Sequence, residues 1–212
     1  ACLTSLRRQS FQDMEIIVVD DASTDDTPAR LEAEFSGVQC LVSPVNRGFA
    51  PTANRGMAAA RGAWVFLLNN DVTLEDECLE RLMEVAWSGT HSMICPMVLW
   101  TEDPRLIYSA GDTLSAGGRP SSIGYKTHLA DYVSEGEPFG VSGGYGIFRK
   151  AMLDEIGLLD EAFVAYFEDS DLCFRARWAG HAAMVVPEAR AFHIGSASIQ
   201  GRTWWRTRQC FQ

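Results

Sequence analysis

Four polar groups stand out against an otherwise apolar background: Asp20-Asp21, Asn69-Asn70-Asp71, Glu168-Asp169-Ser170-Asp171 and His193. Two of them close apolar runs. Glu15-Ile16-Ile17-Val18-Val19 ends in Asp20-Asp21, and Ala63-Trp64-Val65-Phe66-Leu67-Leu68 ends in the Asn-Asn-Asp triplet. Asn and Asp suit turns, because their side chains bond back to the backbone. Polar groups at the ends of two strands of one open α/β sheet can equally converge on a ligand. A lone Asp fixed at a strand end fits magnesium, which takes one or two protein carboxylates and fills its other positions with water and phosphate oxygens. The triplet also resembles the loop of haloacid-dehalogenase-like phosphatases, but Asn69 stands where their nucleophilic Asp must be and cannot form an acyl-phosphate.

The second acidic cluster has a plain structural role open to it, since acids in a first turn favour the positive end of a helix dipole and Gly180 would end that helix. Three acids in four residues exceed what a cap needs. Crowded carboxylates raise one another's pKa, which suits a general base. A single histidine is more often structural than a ligand, yet a neutral His193 imidazole beside Asp71 would complete a cation site.

The elements that must carry these groups alternate. The strand closing at Asp20 is followed by Ser23-Thr24-Asp25-Asp26-Thr27-Pro28, a helix entry with an early Pro. Its helix runs through residues 29–35 to a stop at Gly37, and residues 38–42 form a second strand. A loop at Asn46-Arg47-Gly48 leads into an Ala-rich helix over 50–60, and the strand 63–68 follows. This β-α-β-α-β order predicts an open α/β sheet. A helix is expected over 73–88, irregular connections and short strands over 101–138, a helix over 150–156, the acidic helix over 167–180, and a strand over 183–186 that ends at Pro187. The reading is of one domain over 1–195, with a tail at 196–212.

Composition narrows the classes. At 212 residues, 47% hydrophobic and 22% charged, the chain is an ordinary folded domain rather than a disordered one. Its net charge of −10 argues against a nucleic-acid partner, which would need clustered cations. It also disfavours broad adhesion to anionic lipid, though Arg202, Arg206 and Arg208 make the tail locally basic; peripheral membrane contact is expected only through a C-terminal region beyond residue 212. Six scattered cysteines without a C-x-x-C pair read as free thiols of a reducing, cytoplasmic compartment.

The ordered set "EIIVVDDASTDDT", "NRGFAPTANRGMAAARGAWVFLLNNDV", "GIFRKAMLDEIGLLDEAFVAYFEDSDLCFRARWAG" and His193 resembles glycosyltransferase family 2, in particular its bacterial rhamnosyltransferase-like members. The resemblance implies a GT-A fold, with a nucleotide-sugar-binding half at 1–74 and an acceptor and catalytic half at 75–195, and inverting, metal-dependent transfer of a sugar to a hydroxyl of a glycan or lipid-linked acceptor, at the inner face of the membrane. The donor would be a nucleotide sugar (dTDP- or UDP-linked), with Mg2+ or Mn2+. It implies donor contacts at Asp20, Asp21, Ser23, Gly48, Asn54, Asn69 and Asn70. Asp71 and His193 would hold the cation, and Asp169 would be the base. Gly143, Gly144, Glu168 and Asp171 would line the acceptor side. Asn69 departs from the family's usual Asp, removing one negative charge. The resemblance further implies that a first strand preceding "ACLTSLRRQSF" is missing. A sugar-1-phosphate nucleotidyltransferase would need a Gly-rich triphosphate loop that the sequence does not display, and an inactive nucleotide-sugar-binding module is separated from an enzyme only by turnover.

Overall fold

A computed structural model describes residues 1–134, 136–163 and 166–195. The tail at 196–212, with its basic residues, lies outside them. The N-terminal half contains α1 (Cys2–Arg7), β1 (Ile17–Asp20), α2 (Thr27–Glu34), β2 (Gln39–Val42), α3 (Phe49–Ala59) and β3 (Trp64–Leu68). β4 (Val72–Leu74), α4 (Cys78–Ser88), β5 (Met93–Trp100), β6 (Ile107–Ser109), β7 (Asp112–Leu114), β8 (Pro120–Ser122) and a 3-10 turn at Leu129–Asp131 follow. β9 (Tyr145–Arg149), α5 (Lys150–Ile156), α6 (Glu168–Trp178) and β10 (Ala183–His193) complete the order.

β1 and β2 pair in parallel, as expected of strands separated by a crossover helix. The larger sheet runs β3-β9-β5-β10-β4, with β6 on β5. β5 and β10 are parallel, and β9 is antiparallel to both β3 and β5. β3, β5 and β10 therefore point one way and bring Asn69, Trp100 and His193 to one end. No described segment pairs with the second edge of β1 or of β3. The core lies around β5, whose residues 93–99 are all buried, and includes Phe148, Leu82, Met152 and Leu172.

Three elements differ from the sequence reading. Residues 72–74 form a strand, not the start of a helix. Val72 and Leu74 are buried on one side and pair with β10, so the helix waits until Cys78. The last strand does not stop at Pro187. Its register against β5 shifts between Val186 and Arg190, and this bulge absorbs the missing N–H of the proline. Residues 93–100 carry no strand expectation from the sequence, yet β5 is the centre of the sheet despite Pro96. Among the described residues no helix is long and apolar enough to cross a membrane, and five cysteines there are free thiols.

Candidate active site

β10 and β4 bring His193 and Asp71 together from positions 122 apart in sequence. His193 pairs with Val72 in the strand register, and the Ile194 N–H donates to the Asp71 carbonyl at 3.3 Å. This backbone clamp puts His193 Nε2 3.1 Å from Asp71 Oδ1. His193 is only 6% exposed, and its Nδ1 has no hydrogen-bond partner among the described residues. Tyr108 on β6 meets the imidazole edge-on, with ring centroids 4.3 Å apart, which restrains the ring's orientation.

Asn69 and Asp169 are joined through two adjacent glycines. The Asn69 N–H donates to the Gly144 carbonyl at 2.9 Å, and a Cβ on Gly144 would stand 2.7 Å from Asn69 Nδ2. The Gly143 N–H donates to Asp169 Oδ2 at 3.1 Å, and the Ser170 N–H to Oδ1 at 2.8 Å. The glycine pair thus holds the Asp169 carboxylate and the Asn69 backbone from adjacent positions. Gly144→Ala is expected to displace the Asn69 amide and weaken donor binding by about tenfold, a cost of overpacking near 1.4 kcal/mol. Unchanged donor affinity in that variant would remove Asn69 from the donor site.

α6 opens with Glu168, Asp169 and Asp171 in its first turn, and the preceding Tyr166 and Phe167 both have positive φ, at 69° and 70°. Two bulky residues held in that region store strain, of order 1–3 kcal/mol each, at the point where the acids are aimed. Glu168 is 5% exposed and its Oε2 has no partner among the described residues. Burial first, and the Asp169 charge second, push its carboxyl up to about 7. A carboxyl raised in the folded state favours folding fully below its unfolded value near 4.5. That contribution falls as pH rises from there through about 7. Glu168→Gln is therefore expected to melt higher than wild type at pH 8 and to flatten the pH dependence of stability, by up to about 3 kcal/mol. Melting curves at pH 5 and pH 8 check this, and an identical pH dependence in both proteins would contradict it.

Other candidates are engaged by the protein itself. The Asp21 carboxylate accepts from the Arg47 and Gly48 N–H groups at 3.0 and 2.9 Å, clamping the loop before α3. Gly48 caps α3 at φ 90°. Asn54 is a staple rather than an open ligand: Nδ2 donates to the Leu159 carbonyl and Oδ1 accepts from the Leu159 N–H, at 2.9 and 3.0 Å. Asp171 accepts from Arg175, which also donates to the carbonyls of Ile156, Gly157 and Leu158, tying α6 to the end of α5. Asp20 is buried and accepts from the Ser23 N–H at 3.2 Å, while Ser23 and Asn70 are exposed. Glu161, which accepts from the Arg47 and Asn54 side chains at 3.3 and 3.2 Å, and Arg175 carry no local pattern that would single them out in the sequence.

The sequence profile of Glycosyl transferase family 2 matches residues 1–157. The chain belongs to that family. This glycosyl transferase family 2 chain is 25% identical over 185 residues to EpsH of Bacillus subtilis (strain 168), covering 84% of the chain and 51% of EpsH. It thus spans about half the length of that curated relative. It is also 25% identical over 214 residues to the N-acetylglucosaminyl-diphospho-decaprenol L-rhamnosyltransferase of Mycobacterium tuberculosis (strain CDC 1551 / Oshkosh), over 90% of the chain and 70% of that protein. The crystal structure of GalNAc-T7 with UDP, GalNAc and Mn2+ superposes with a TM-score of 0.73 at 14% identity, over 91% of this chain and 40% of the other. The shared architecture is the GT-A fold.

Proposed function

We propose that this domain transfers a sugar from a nucleotide-sugar donor, dTDP- or UDP-linked, to a hydroxyl of a glycan or lipid-linked acceptor, with inversion, in the synthesis of cell-surface polysaccharide. The observation that carries this reading is the Gly143-Gly144 bridge. The Gly143 N–H holds the Asp169 carboxylate and the adjacent Gly144 carbonyl holds the Asn69 backbone, beside the strand ends that hold Asp71 and His193.

A divalent cation fits the donor set. One carboxylate and the imidazole Nε2 that faces it at 3.1 Å supply two ligands. That leaves coordination positions for phosphate oxygens, as magnesium sites of nucleotides require. Asp71 and His193 would hold the cation, which when bound neutralises charge on the leaving diphosphate. Asp20, buried at the end of β1, would accept from the base of the nucleotide. Asp169 removes the acceptor proton as the hydroxyl oxygen attacks the anomeric carbon, and the bond to the diphosphate breaks on the opposite face. One displacement inverts the centre and needs no covalent sugar–enzyme intermediate. Glu168, buried and held neutral to about pH 7, adds no second charge beside the base. The reading places the protein in the cytoplasm at the inner face of the membrane, where lipid-linked acceptors are built.

The test is a panel of UDP-, dTDP- and GDP-sugars with Mg2+ or Mn2+, following release of nucleoside diphosphate. Cation-dependent release from one or a few donors is expected. Release of pyrophosphate from a nucleoside triphosphate and a sugar phosphate would indicate nucleotidyl transfer instead.

A further inference from the structure

Asp112 opens β7 in a Gly- and Ser-rich segment with no periodic signal, and its backbone is bridged to Gly140 both ways. The Asp112 N–H donates to the Gly140 carbonyl at 2.9 Å, and the Gly140 N–H donates back at 3.2 Å. On its other side Gly140 lies against α6, where an added Cβ would come within 2.5 Å of Cys173 Cβ and Sγ. The Val141 N–H and carbonyl both contact Cys173 Sγ at 3.4 Å, and the Gly143 N–H holds Asp169. Asp169 and Cys173 are four apart on α6 and so share one helix face. Residues 140–143 are thus a spacer one strand thick, with Asp112 along one edge and Asp169 and Cys173 along the other.

The surroundings of the Asp112 carboxyl are poor in compensation. The Ser122 hydroxyl on β8 donates to Oδ1 at 3.0 Å. Asp169 and Cys173 from α6, Cys95 from β5 and Tyr145 from β9 also interact with it electrostatically. No Lys, Arg or His forms an ion pair with it among the described residues. Arg177, one turn beyond Cys173, is bound to the Pro138 carbonyl and to Glu137. Burial first, and the Asp169 charge second, push the Asp112 carboxyl up to about 7. Burial likewise pushes Tyr145, Cys95 and Cys173 up, so those groups stay neutral around it.

We propose that Asp112 is a positioning residue for Asp169: its carboxyl is held behind the base across residues 140–143, where a charge on Asp112 strengthens Asp169 as a base. This rests on Asp169 being the base. While Asp112 keeps its proton, it adds no charge behind Asp169. When Asp112 ionises, the added charge strengthens the pull of Asp169 on the acceptor proton.

Carbon-13 NMR of the Asp carboxyls in the unliganded chain tests the coupling directly. The Asp112 titration midpoint is expected to fall by about half a unit to one unit in Asp169→Asn, the size of effect a nearby like charge exerts. An unmoved midpoint overturns the proposal without touching the transferase reading, because neither donor nor acceptor is present. In turnover, Asp112→Asn should match wild type at pH 6. At pH 8 it should be about three- to tenfold slower in kcat, following nucleoside diphosphate release from the donor selected above, with donor KM unchanged. A loss equal at both pH values would mark Asp112 as structural and overturn the proposal.

Discussion

Asp169→Asn is expected to lower sugar transfer by about 10²-fold or more while leaving donor affinity within about twofold, the usual scale for losing a general base. The asparagine can keep the local geometry, since its Oδ1 can still accept from the Gly143 N–H that holds Asp169 at 3.1 Å. What it loses is the capacity to take a proton. Steady-state rates and direct donor titration, compared on one preparation, separate the two effects. Near-normal turnover would transfer the role of base to another group, with Glu168 the first to examine.

Asp71→Ala is expected to abolish cation-dependent donor binding, and His193→Ala to weaken it by about 10- to 100-fold, as loss of one ligand from a two-ligand site implies. The two differ because the carboxylate supplies the only charge of the pair, while the imidazole is neutral when it ligates. His193 is also buried against Tyr108, so His193→Gln, which keeps bulk and an acceptor, should lose less than His193→Ala. Titration of UDP or dTDP with and without Mn2+ reads both variants. Cation-dependent binding that survives Asp71→Ala would place the cation elsewhere.

The elements of the alternating half are legible because their signals are local, but their pairing is not, since β1 and β2 form a sheet apart from the one that holds β3. Apolar runs at 15–19 and 63–68 stop at acids or amides, and Pro28 and Gly62 bracket the helices between them. The remainder depends on distant partners. Val72 and Leu74 become a strand only because β10 arrives beside them. Pro96 and Pro187 lie inside central strands because a parallel partner and a bulge accommodate the absent N–H groups. For the site, Asp71 and His193 are joined by sheet register, which no spacing in the sequence displays, and only the resemblance to a family links them. Asp21 and Asn54 are donor contacts by the resemblance, yet the chain itself engages them, with Arg47 and Gly48 on one and Leu159 on the other. Asp112 was illegible for the opposite reason: its importance comes from what surrounds it, in a segment whose pattern says only loop.

The most direct measurement is a crystal structure of the chain with a nucleoside diphosphate, UDP or dTDP, and Mn2+. The account predicts a cation at about 2 Å from an Asp71 oxygen and from a His193 nitrogen, completed by diphosphate oxygens, with the base of the nucleotide at Asp20. It also predicts that the open side of the diphosphate, where the sugar would sit, faces Asp169. A nucleotide bound away from Asp71 and His193, or a diphosphate turned from Asp169, would contradict it.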